Sequence, residues 1–558
     1  MRRWNGWGDD ATTYPLPESA AQYLEARIGV GPRLEDASLE RVLANIPATR
    51  LSPHPHLSTD PEDRLRHARG QSLPDWVALR SGRVGVFPDG VAYPACDEDV
   101  RALLDYARRT GTRLIPYGGG TSVVGHINPL PGGAPVLTLD LSRLNRLLDL
   151  DETSQLATFE AGITGPEIEK ILNARGYTLG HFPQSFEYST LGGWIATRSS
   201  GQQSYYYGRI ENLFAGGHVE TPLGALDLPP HPASAAGPDL RQVILGSEGR
   251  LGLITRAILR VRPLPEEESF HAFFFHDWES GAAAVREIAQ AGLKLSMLRL
   301  SNALETTTTL ALSGKESLVE WANRGLSFLR YDEERCLLIA GFTAEKKDKA
   351  AREQFAAARE VIRAHGGLWT GTPIGKMWKK SRFLTPYLRN TLWERGYALD
   401  TLETAVPWVN VMPTAEETQK VIREGLADPS TGSGQGIGER VLVFAHLSHM
   451  YKDGAGIYVT YLYRRAADPS ASLTCACGTG AGRANPDETL RRWQVLKGAA
   501  SRVILAHGGT ISHQHGVGLD HAPYITAEKG ELGMQLLEAT RRTFDPQGVL
   551  NPGKLLED

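Results

Sequence analysis

Hydrophobic positions recur with two different periods along the chain, and their order predicts alternating helices and strands. Residues 97–109 carry apolar side chains at every third or fourth position, which predicts a helix with Asp97 as its N-cap. Residues 251–262 carry one at every second position, which predicts a strand. The same criteria predict strands at 84–87, 90–93, 114–115, 243–245, 271–275, 296–300, 336–342 and 457–463, and helices at 165–175, 280–290, 316–328, 345–365 and 490–507.

These elements divide a chain of 558 residues, which is longer than one hydrophobic core usually supports, into four parts. Residues 1–80 are rich in Pro, His and Arg without a long periodic pattern, so we expect an irregular arm that wraps around another part of the protein. Residues 81–265 and 266–495 form two α/β regions, joined near the linker-like segment 263–268. Residues 496–558 form a C-terminal segment.

The composition is that of a soluble globular protein, with 41% apolar and 22% charged residues. A net charge of −4 gives no sign of a nucleic-acid partner. No apolar run approaches the ~20 residues that span a bilayer, and the first seven residues lack the apolar core of a secretory signal. Four cysteines are too few for a disulfide framework. Cys475 and Cys477 lack a second pair to complete a metal site, and residues 466–485 resemble a mobile insertion, so we predict no metal.

Three glycine-rich loops are the first candidates for ligand binding. Residues 116–122 place three glycines after a strand, where backbone amides with Thr121 and Ser122 hydroxyls form an anion-binding turn. This loop matches neither the dinucleotide-binding fingerprint nor the P-loop, and a plain glycine turn fits it equally well. Residues 183–201 and 246–252 are similarly rich in glycine or hydroxyl groups. Three such loops are hard to explain as turns alone.

Two further segments carry groups that suit catalysis. His513 and His515 flank Gln514 and precede a glycine, an arrangement that suits a metal ligand pair, an acid–base pair or an oxyanion site. The predicted strand 457–463 places Tyr458 on one face and Tyr461 on the other. From the residues alone, these tyrosines fit a packed core as well as they fit an active site.

Together these segments resemble the alkyldihydroxyacetonephosphate synthase family of the vanillyl-alcohol-oxidase superfamily. The glycine loops are shared by the superfamily, whereas the Trp-Asn-Gly-Trp start at residues 4–7 and the Glu-Thr-x-x-Pro-Trp segment at 403–408 are specific to the synthase branch. The resemblance covers nearly the whole chain. It implies an α+β fold, with a two-subdomain FAD-binding domain of the cresol-methylhydroxylase type and an α/β cap domain that contains an antiparallel sheet.

The resemblance also implies FAD and the site residues. From the three glycine- and hydroxyl-rich loops we predict one noncovalently held FAD, and we interpret His126, just after the first loop, as a structural residue. Tyr458 matches the proton-abstracting tyrosine, and Arg389 matches an arginine that suits a substrate phosphate or a leaving carboxylate. The other catalytic positions are His181, Arg299, His513 and His515. The FAD-binding positions are Pro116, Tyr117, Gly118, Gly119, Gly120, Thr121, Ser122, Gln184, Ser185, Glu187, Tyr188, Ser189, Thr190, Thr197, Arg198, Ser199, Ser200, Glu248, Gly249, Leu251, Gly252 and Ile254.

The implied reaction exchanges the acyl group of acyl-dihydroxyacetonephosphate for a long-chain alcohol without net redox change. A tyrosine has a pKa near ~10, so we expect Arg389 and the histidines to lower the pKa of Tyr458 for base action. If Arg389 instead has a structural role, it pairs with an acid such as Glu403. The implied partners are these lipid-like substrates, a peripheral membrane contact and a second copy of the chain as a homodimer.

Two departures from the family pattern affect this interpretation. The synthases carry three consecutive histidines where this chain has Gln514 between two, and the peroxisomal targeting extension of the animal enzymes is absent. The second departure predicts a cytoplasmic enzyme. An FAD-dependent 2-hydroxy-acid dehydrogenase or oxidase of the same superfamily is the main alternative, although those enzymes carry Glu at the position of Gln514. A flavin-storing binding protein is a third alternative.

Overall fold

The structure is a computed structural model that describes residues 1–312, 326, 329–345, 347–427, 439–470 and 482–556. Its strands, in chain order, are β1 Leu57–Ser58, β2 Gly90–Ala92, β3 Arg113–Tyr117, β4 Val136–Asp140, β5 Leu147–Asp151, β6 Leu156–Glu160, β7 Tyr177–Thr178, β8 Phe214–Thr221, β9 Gly224–Leu228, β10 Leu253–Arg260, β11 Arg262–Pro263, β12 Glu267–Phe275, β13 Met297–Ser301, β14 Cys336–Ala344, β15 Leu368–Trp369, β16 Tyr397–Pro407, β17 Leu442–Met450 and β18 Gly454–Arg464.

The helices follow the same order between and around these strands. They are α1 Glu18–Ile28, α2 Leu39–Leu43, α3 Pro61–Arg66, α4 Leu73–Ser81, α5 Asp97–Thr110, α6 Gly165–Asn173, α7 Leu191–Thr197, α8 Ser204–Tyr207, α9 Ile210–Leu213, α10 Arg241–Ile244, α11 Trp278–Gln290, α12 Ala303–Leu312, α13 Lys349–Ala364, α14 Pro373–Ser381, α15 Thr385–Glu394, α16 Trp408–Glu424, α17 Pro486–Ala506 and α18 Ile525–Phe544.

Two small sheets carry the glycine-rich loops. The first has the order β1-β2-β4-β3 with parallel pairing of β2, β4 and β3, and the second is antiparallel with the order β5-β6-β10-β8-β9. Helix α5 covers the first sheet with its predicted apolar stripe, of which Leu103 and Ala107 are fully buried. Asp97 is the first helical residue rather than the N-cap, which is Cys96, and the Asp97 carboxylate pairs with Arg256 at 3.1 Å.

A seven-stranded antiparallel sheet forms the second region, with the order β15-β12-β14-β13-β17-β18-β16. Helices α11, α16 and α17 bury apolar faces in the same core as this sheet. Strands β16 and β18 pair over eleven residues, from Tyr397 opposite Arg464 to Pro407 opposite Gly454. This long pairing fixes which side chains of the two strands face each other.

Several sequence predictions are corrected by the structure. Residues 84–87 form no strand, because Arg69 donates to the Val84 and Val86 carbonyl oxygens that a sheet would use. Residues 243–245 belong mainly to helix α10, since three apolar residues are too few to reveal a period. The linker 263–268 contributes to β11 and β12 instead. The predicted helix 316–328 lies outside the described residues except for position 326, as does most of the predicted insertion, including both its cysteines.

The N-terminal 80 residues are not irregular throughout, because they contain helices α1 to α3 and most of α4. Side-chain caps at Ser38, Asp60 and Ser72 support three of these helices despite their short length. The segment wraps around the protein as expected. Asn390 of helix α15 exchanges two hydrogen bonds with the backbone of Trp7, at 3.0 and 2.9 Å.

Candidate active site

A cavity of about 580 Å³ lies where the glycine-rich loops meet the seven-stranded sheet. Its wall includes Tyr458, Arg389, Arg299 and His515 from the predicted catalytic set. From the predicted cofactor-binding set it includes Pro116, Tyr117, Gly118, Gly119, Gly120, Thr121, Ser122, Gln184, Ser185, Ser189, Thr190, Thr197, Ser199, Ser200, Glu248, Gly249, Gly252 and Ile254. Residues more than 300 positions apart in the sequence therefore share one site.

The first glycine-rich loop has no space for side chains. A Cβ atom on Gly118 would overlap the Thr190 hydroxyl, and one on Gly119 would overlap the Tyr188 carbonyl oxygen. The two loops can pack this closely only because the glycines expose bare backbone. The resulting turn borders the cavity with peptide groups, which suits a pyrophosphate.

The cavity wall also contains buried polar atoms that have no hydrogen-bond partner in the described protein. They include Ser200 Oγ, Gln514 Oε1, and Nε and Nη2 of Arg389. Buried polar groups are rarely left unsatisfied in proteins, so these atoms indicate a polar ligand. Together with the glycine loops, they fit a flavin nucleotide and an anionic substrate.

Four predicted cofactor-binding residues do not reach the cavity wall. Leu251 packs in the core of the five-stranded sheet, and Arg198 donates to Gln242 at 2.8 Å. The hydroxyls of Tyr188 and Tyr387 lie 2.8 Å apart, and Glu187 is also hydrogen-bonded to Tyr387. These side chains support the loops rather than line the site.

Tyr458 lies on β18 and points into the cavity. Its hydroxyl donates to Thr401 Oγ1 at 3.1 Å, and its ring stacks on His446 with centroids 5.0 Å apart. The pKa of Tyr458 is raised to about 12, mainly by burial and also by Glu403 and Asp400, whereas the Thr401 hydrogen bond and Arg299 lower it. Arg299 thus acts in the expected direction, but the net shift of this pKa is upward, so the protein's own residues do not give the expected net lowering.

Arg389 lies on helix α15 against the face of Trp76, with its guanidinium carbon 4.4 Å from the ring centroid. Nη1 donates to the Gln71 carbonyl oxygen at 2.5 Å, whereas Nε and Nη2 are buried without a partner. No acid of the described residues forms an ion pair with Arg389, so the alternative pairing with Glu403 is wrong. Two free N–H groups in a cavity wall suit bidentate binding of an anion.

The histidine motif, residues 512–518, which we call the histidine loop, is held by the carboxylate of Glu403 on strand β16. Glu403 accepts hydrogen bonds from the backbone N–H groups of His513, Gln514 and His515, at 2.7, 3.1 and 3.1 Å. Burial lowers the pKa of His515, and it lowers that of His513 further. Both imidazoles are thus neutral at pH 7, and the expected cationic cluster is absent from this motif.

The two histidines have different surroundings. His515 lines the cavity, and its ring lies edge-on to Tyr458 with centroids 6.1 Å apart. His513 does not reach the cavity wall, because its Nε2 bonds the Tyr451 hydroxyl at 2.6 Å and Nη1 of Arg209 at 2.7 Å. His515 is therefore the histidine placed to act on a ligand, and His513 supports the loop.

Of the remaining two predicted catalytic residues, Arg299 reaches the cavity and His181 does not. Arg299 lines the cavity and forms a buried network with Glu305 at 2.7 Å and His446 at 3.2 Å. His181 is fully buried behind Ser199, with its Nε2 3.2 Å from the serine Oγ. Burial lowers the pKa of His181 to about 3, so it is a neutral supporting residue.

Sequence reasoning missed several residues of the site. Glu403, Arg209 and Tyr451 hold residues 512–518, and no local pattern of the sequence predicts this role for them. His449 lines the cavity with a left-handed φ of 56°, a strained conformation for histidine. The only sequence signal for His449 is its spacing of three residues from His446.

One group with metal-ligand chemistry lies away from the cavity. Asp97, His218 and Glu220 bring possible ligand atoms within 4.8 Å of one another. Arg256 pairs with Asp97 at 3.1 Å, and Arg101 pairs with Glu220 at 3.0 Å. The two guanidinium groups supply the positive charge that these carboxylates need, so we interpret the group as an ion-pair network.

No helix in the described ranges is long and apolar enough to serve as a membrane span. The family of the protein is shown by its match to known protein families. Residues 264–555 match the family described as FAD linked oxidases, C-terminal domain, and residues 88–226 match the FAD binding domain. The chain belongs to the FAD-linked oxidase family, and it carries the FAD-binding domain of these flavin-dependent enzymes.

Within this class the chain is similar to alkyldihydroxyacetonephosphate synthases. The synthase of Dictyostelium discoideum is 29% identical over 99% of this chain and 93% of its own length. That of Trypanosoma brucei brucei is 29% identical over 88% of this chain and 77% of its own length. A solved structure of alkyldihydroxyacetonephosphate synthase matches with a TM-score of 0.83 at 26% identity, covering 99% of each chain. The predicted resemblance and α+β fold are confirmed.

Proposed function

We propose that the protein is an FAD-dependent enzyme that exchanges the acyl group of acyl-dihydroxyacetonephosphate for a long-chain alcohol, without net redox change. The observation that carries this proposal is the shared cavity of Tyr458, His515 and the unpaired N–H groups of Arg389. This set offers a phenol for proton transfer, a neutral imidazole and an anion-binding guanidinium. The similarity to the synthases supports the same reaction.

The apolar part of the cavity supports a lipid-like substrate. Its lining comes from two separate hydrophobic clusters on the seven-stranded sheet and its helices. One contributes Leu24, Leu388, Leu392, Leu399, Phe444 and Leu462, and the other contributes Met297, Leu337, Ile339, Ile374 and Trp378. Two apolar regions suit two alkyl chains, one from the leaving acid and one from the incoming alcohol. Burying each CH₂ contributes about 0.8 kcal/mol.

The chain's own groups divide the work by their chemistry. Arg389 binds the phosphate through Nε and Nη2, which fixes the substrate headgroup beside Tyr458. Tyr458 takes the proton from C1 of the substrate at its Oη. Since burial raises the pKa of Tyr458 to about 12, the loaded site has to stabilise the phenolate before this transfer. When bound between the glycine-rich loops, FAD would supply an electron-poor ring for this chemistry.

We propose that FAD is held noncovalently. His126 is the histidine nearest the phosphate loop, and its Nδ1 already lies 2.8 Å from Ser122 Oγ while its Nε2 lies 3.3 Å from Glu248 Oε1. Only Nδ1 is hydrogen-bonded, since Nε2 is buried without a hydrogen-bond partner. The proposal of noncovalent binding therefore rests on the three glycine- and hydroxyl-rich loops that line the cavity. Acid precipitation of the purified protein should release all flavin into the supernatant, and flavin retained in the pellet would contradict noncovalent binding.

The exchange reaction is tested with radiolabelled hexadecanol and palmitoyl-dihydroxyacetonephosphate. The account predicts one ether product and one released palmitate per turnover, with no electron acceptor consumed. Oxidation of D-lactate by an added acceptor, with no ether product, would instead establish the hydroxy-acid dehydrogenase function. The homodimer, the peripheral membrane contact and the cytoplasmic location remain predictions.

A further inference from the structure

Glu403 is buried beside the catalytic tyrosine but does not reach the cavity. It is 3% exposed, and its Cα is the direct partner of Tyr458 in the pairing of β16 with β18. Its carboxylate accepts the three consecutive backbone bonds of residues 513–515 and a fourth from Ser512 Oγ at 3.0 Å. In the described structure no lysine or arginine forms an ion pair with it. The histidine loop supplies its charge compensation.

Three consecutive backbone N–H groups that converge on one point form an anion-binding nest. Such nests commonly bind phosphate, but here the nest of the histidine loop is filled by a side chain from the adjacent strand. Hydrogen bonds to an ionised acceptor are roughly twice as strong as neutral ones. The Glu403 carboxylate therefore fixes the backbone that carries His515 at a set distance from the strand that carries Tyr458.

The rest of the Glu-Thr-x-x-Pro-Trp segment makes contacts of the same kind. Thr404 Oγ1 donates to the Thr510 carbonyl oxygen at 2.7 Å, which holds the segment that leads into the histidine loop. Trp408 Nε1 donates to the Tyr451 carbonyl oxygen at 3.1 Å. Tyr451 in turn contacts His513. We name Glu403, Thr404 and Trp408 the histidine-loop clamp.

We propose that this clamp is a positioning device for the reaction, in which Glu403 sets the place of His515 relative to Tyr458. The inference rests on the proposed function and assigns a role to three residues that do not line the cavity. Glu403 acts through the loop and touches no substrate. Its Oε1 also lies 3.3 Å from Nδ1 of His515, so the carboxylate orients the ring as well as the backbone.

The test replaces the carboxylate by a neutral group of the same shape. In Glu403→Gln, the amide oxygen can replace Oε1, but the NH₂ in the place of Oε2 faces the His513 N–H and cannot accept from it. We expect the amides of residues 510–518 to exchange hydrogen at least about tenfold faster, as measured on FAD-loaded protein by mass spectrometry. We expect kcat for ether formation to fall by about 10²-fold or more with little change in KM, since substrate binding groups stay in place.

Two further variants make the result interpretable. Glu417→Gln removes an exposed carboxylate that pairs with His507 on the same region, and it should leave both exchange and kcat unchanged. Ser512→Ala removes one donor to Glu403 and an acceptor that the His515 N–H shares with Glu403, so it gives a smaller change of the same kind if the glutamine variant fails to fold. In Glu403→Gln the pH optimum should also move to lower pH, because the carboxylate raises the pKa of both His515 and Tyr458.

The outcomes separate the clamp from the proposed function. Faster exchange together with a lower kcat supports the clamp. Unchanged exchange in Glu403→Gln and Ser512→Ala overturns it, and so does faster exchange with an unchanged kcat. If the unmodified protein makes no ether product, the proposed reaction is wrong, and the exchange result alone decides whether Glu403 holds the loop.

Discussion

The phenol oxygen of Tyr458 lies 3.1 Å from Oγ1 of Thr401 on the adjacent strand, and the phenol ring stacks on His446. These two contacts fix both the ring plane and the direction of the hydroxyl. A tyrosine used only for packing does not need its hydroxyl at a cavity wall. The proposed role of Tyr458 therefore depends on one oxygen atom, whose removal leaves the packing intact.

Tyr458→Phe should keep FAD and the fold but lose nearly all turnover. A general acid–base contribution is typically ~10²–10⁴-fold in rate, so kcat should fall by about that factor. Tyr463→Phe is the matched control on the same strand, because Tyr463 donates to the Thr489 backbone away from the cavity. Comparable turnover of the two variants in the ether-forming assay would show that Tyr458 is a core residue.

Arg389→Lys should lose activity although it keeps the positive charge. Lysine offers a point charge, whereas Nε and Nη2 of arginine can bind a phosphate through two parallel bonds. We expect kcat/KM to fall by at least about tenfold, and inorganic phosphate to inhibit the variant less than the unmodified protein.

The chain offers a close control for this change. Arg465 also stacks on a tryptophan, with its guanidinium carbon 4.0 Å from the Trp393 ring centroid, but it pairs with Asp36 outside the cavity. Arg465→Lys should lower thermal stability without altering phosphate inhibition. Equal phosphate inhibition of Arg389→Lys and the unmodified protein would refute the phosphate-binding role.

Gly119→Ala should weaken FAD binding, because the added methyl group overlaps the Tyr188 carbonyl oxygen and the loop has to move. Overpacking costs about 1–3 kcal/mol, which corresponds to a ~10–100-fold loss of affinity if the cost falls on the bound state. Gly133→Ala is the control, since a Cβ there meets nothing within 4 Å. Flavin content and titration of apoprotein with FAD measure the difference, and full FAD occupancy of both variants would refute the close loop packing.

Stability should fall on mild acidification. Burial lowers the pKa of His181, His449 and His521 to about 3, from an ordinary value of 6.5. Below pH 6.5 the unfolded chain takes up protons that the folded chain does not, so stability present above this pH is lost as the pH falls. Each histidine contributes a slope of up to about 1.4 kcal/mol per pH unit.

His449→Asn should reduce the pH dependence of stability by the contribution of one histidine. Asparagine also tolerates the left-handed φ of 56° at this position. Chemical denaturation between pH 7 and pH 5 measures the effect. A stability that is flat over this range would show that these histidines are solvated.

The sequence predicts the glycine-rich loops well, and also the elements whose apolar pattern extends over many residues, because both signals are local. Helix α5 and strand β10 follow their apolar patterns, and the bare backbone at Gly119 explains why the loop is glycine-rich. Short apolar runs are predicted less well. Residues 84–87 give their carbonyl groups to Arg69, a contact that no local pattern reveals.

The candidate site could not be predicted from local patterns, because its residues come from distant parts of the chain. Arg209 and His513 are separated by 304 positions, and Glu403 meets residues more than 100 positions away. The resemblance identified Tyr458, Arg389 and His515, which line the cavity. It also implied His181, which is buried behind Ser199 and does not line the cavity. A motif match alone does not specify whether a side chain reaches the cavity.

The central claim is that an acyl-dihydroxyacetonephosphate reacts with the flavin by exchange rather than by oxidation. Anaerobic mixing of the purified yellow protein with palmitoyl-dihydroxyacetonephosphate tests this directly. The account predicts that the flavin absorbance bleaches without an electron acceptor and returns when hexadecanol is added, with the ether as product. Flavin that stays yellow with this substrate and bleaches only with D-lactate or a similar hydroxy acid would contradict the account.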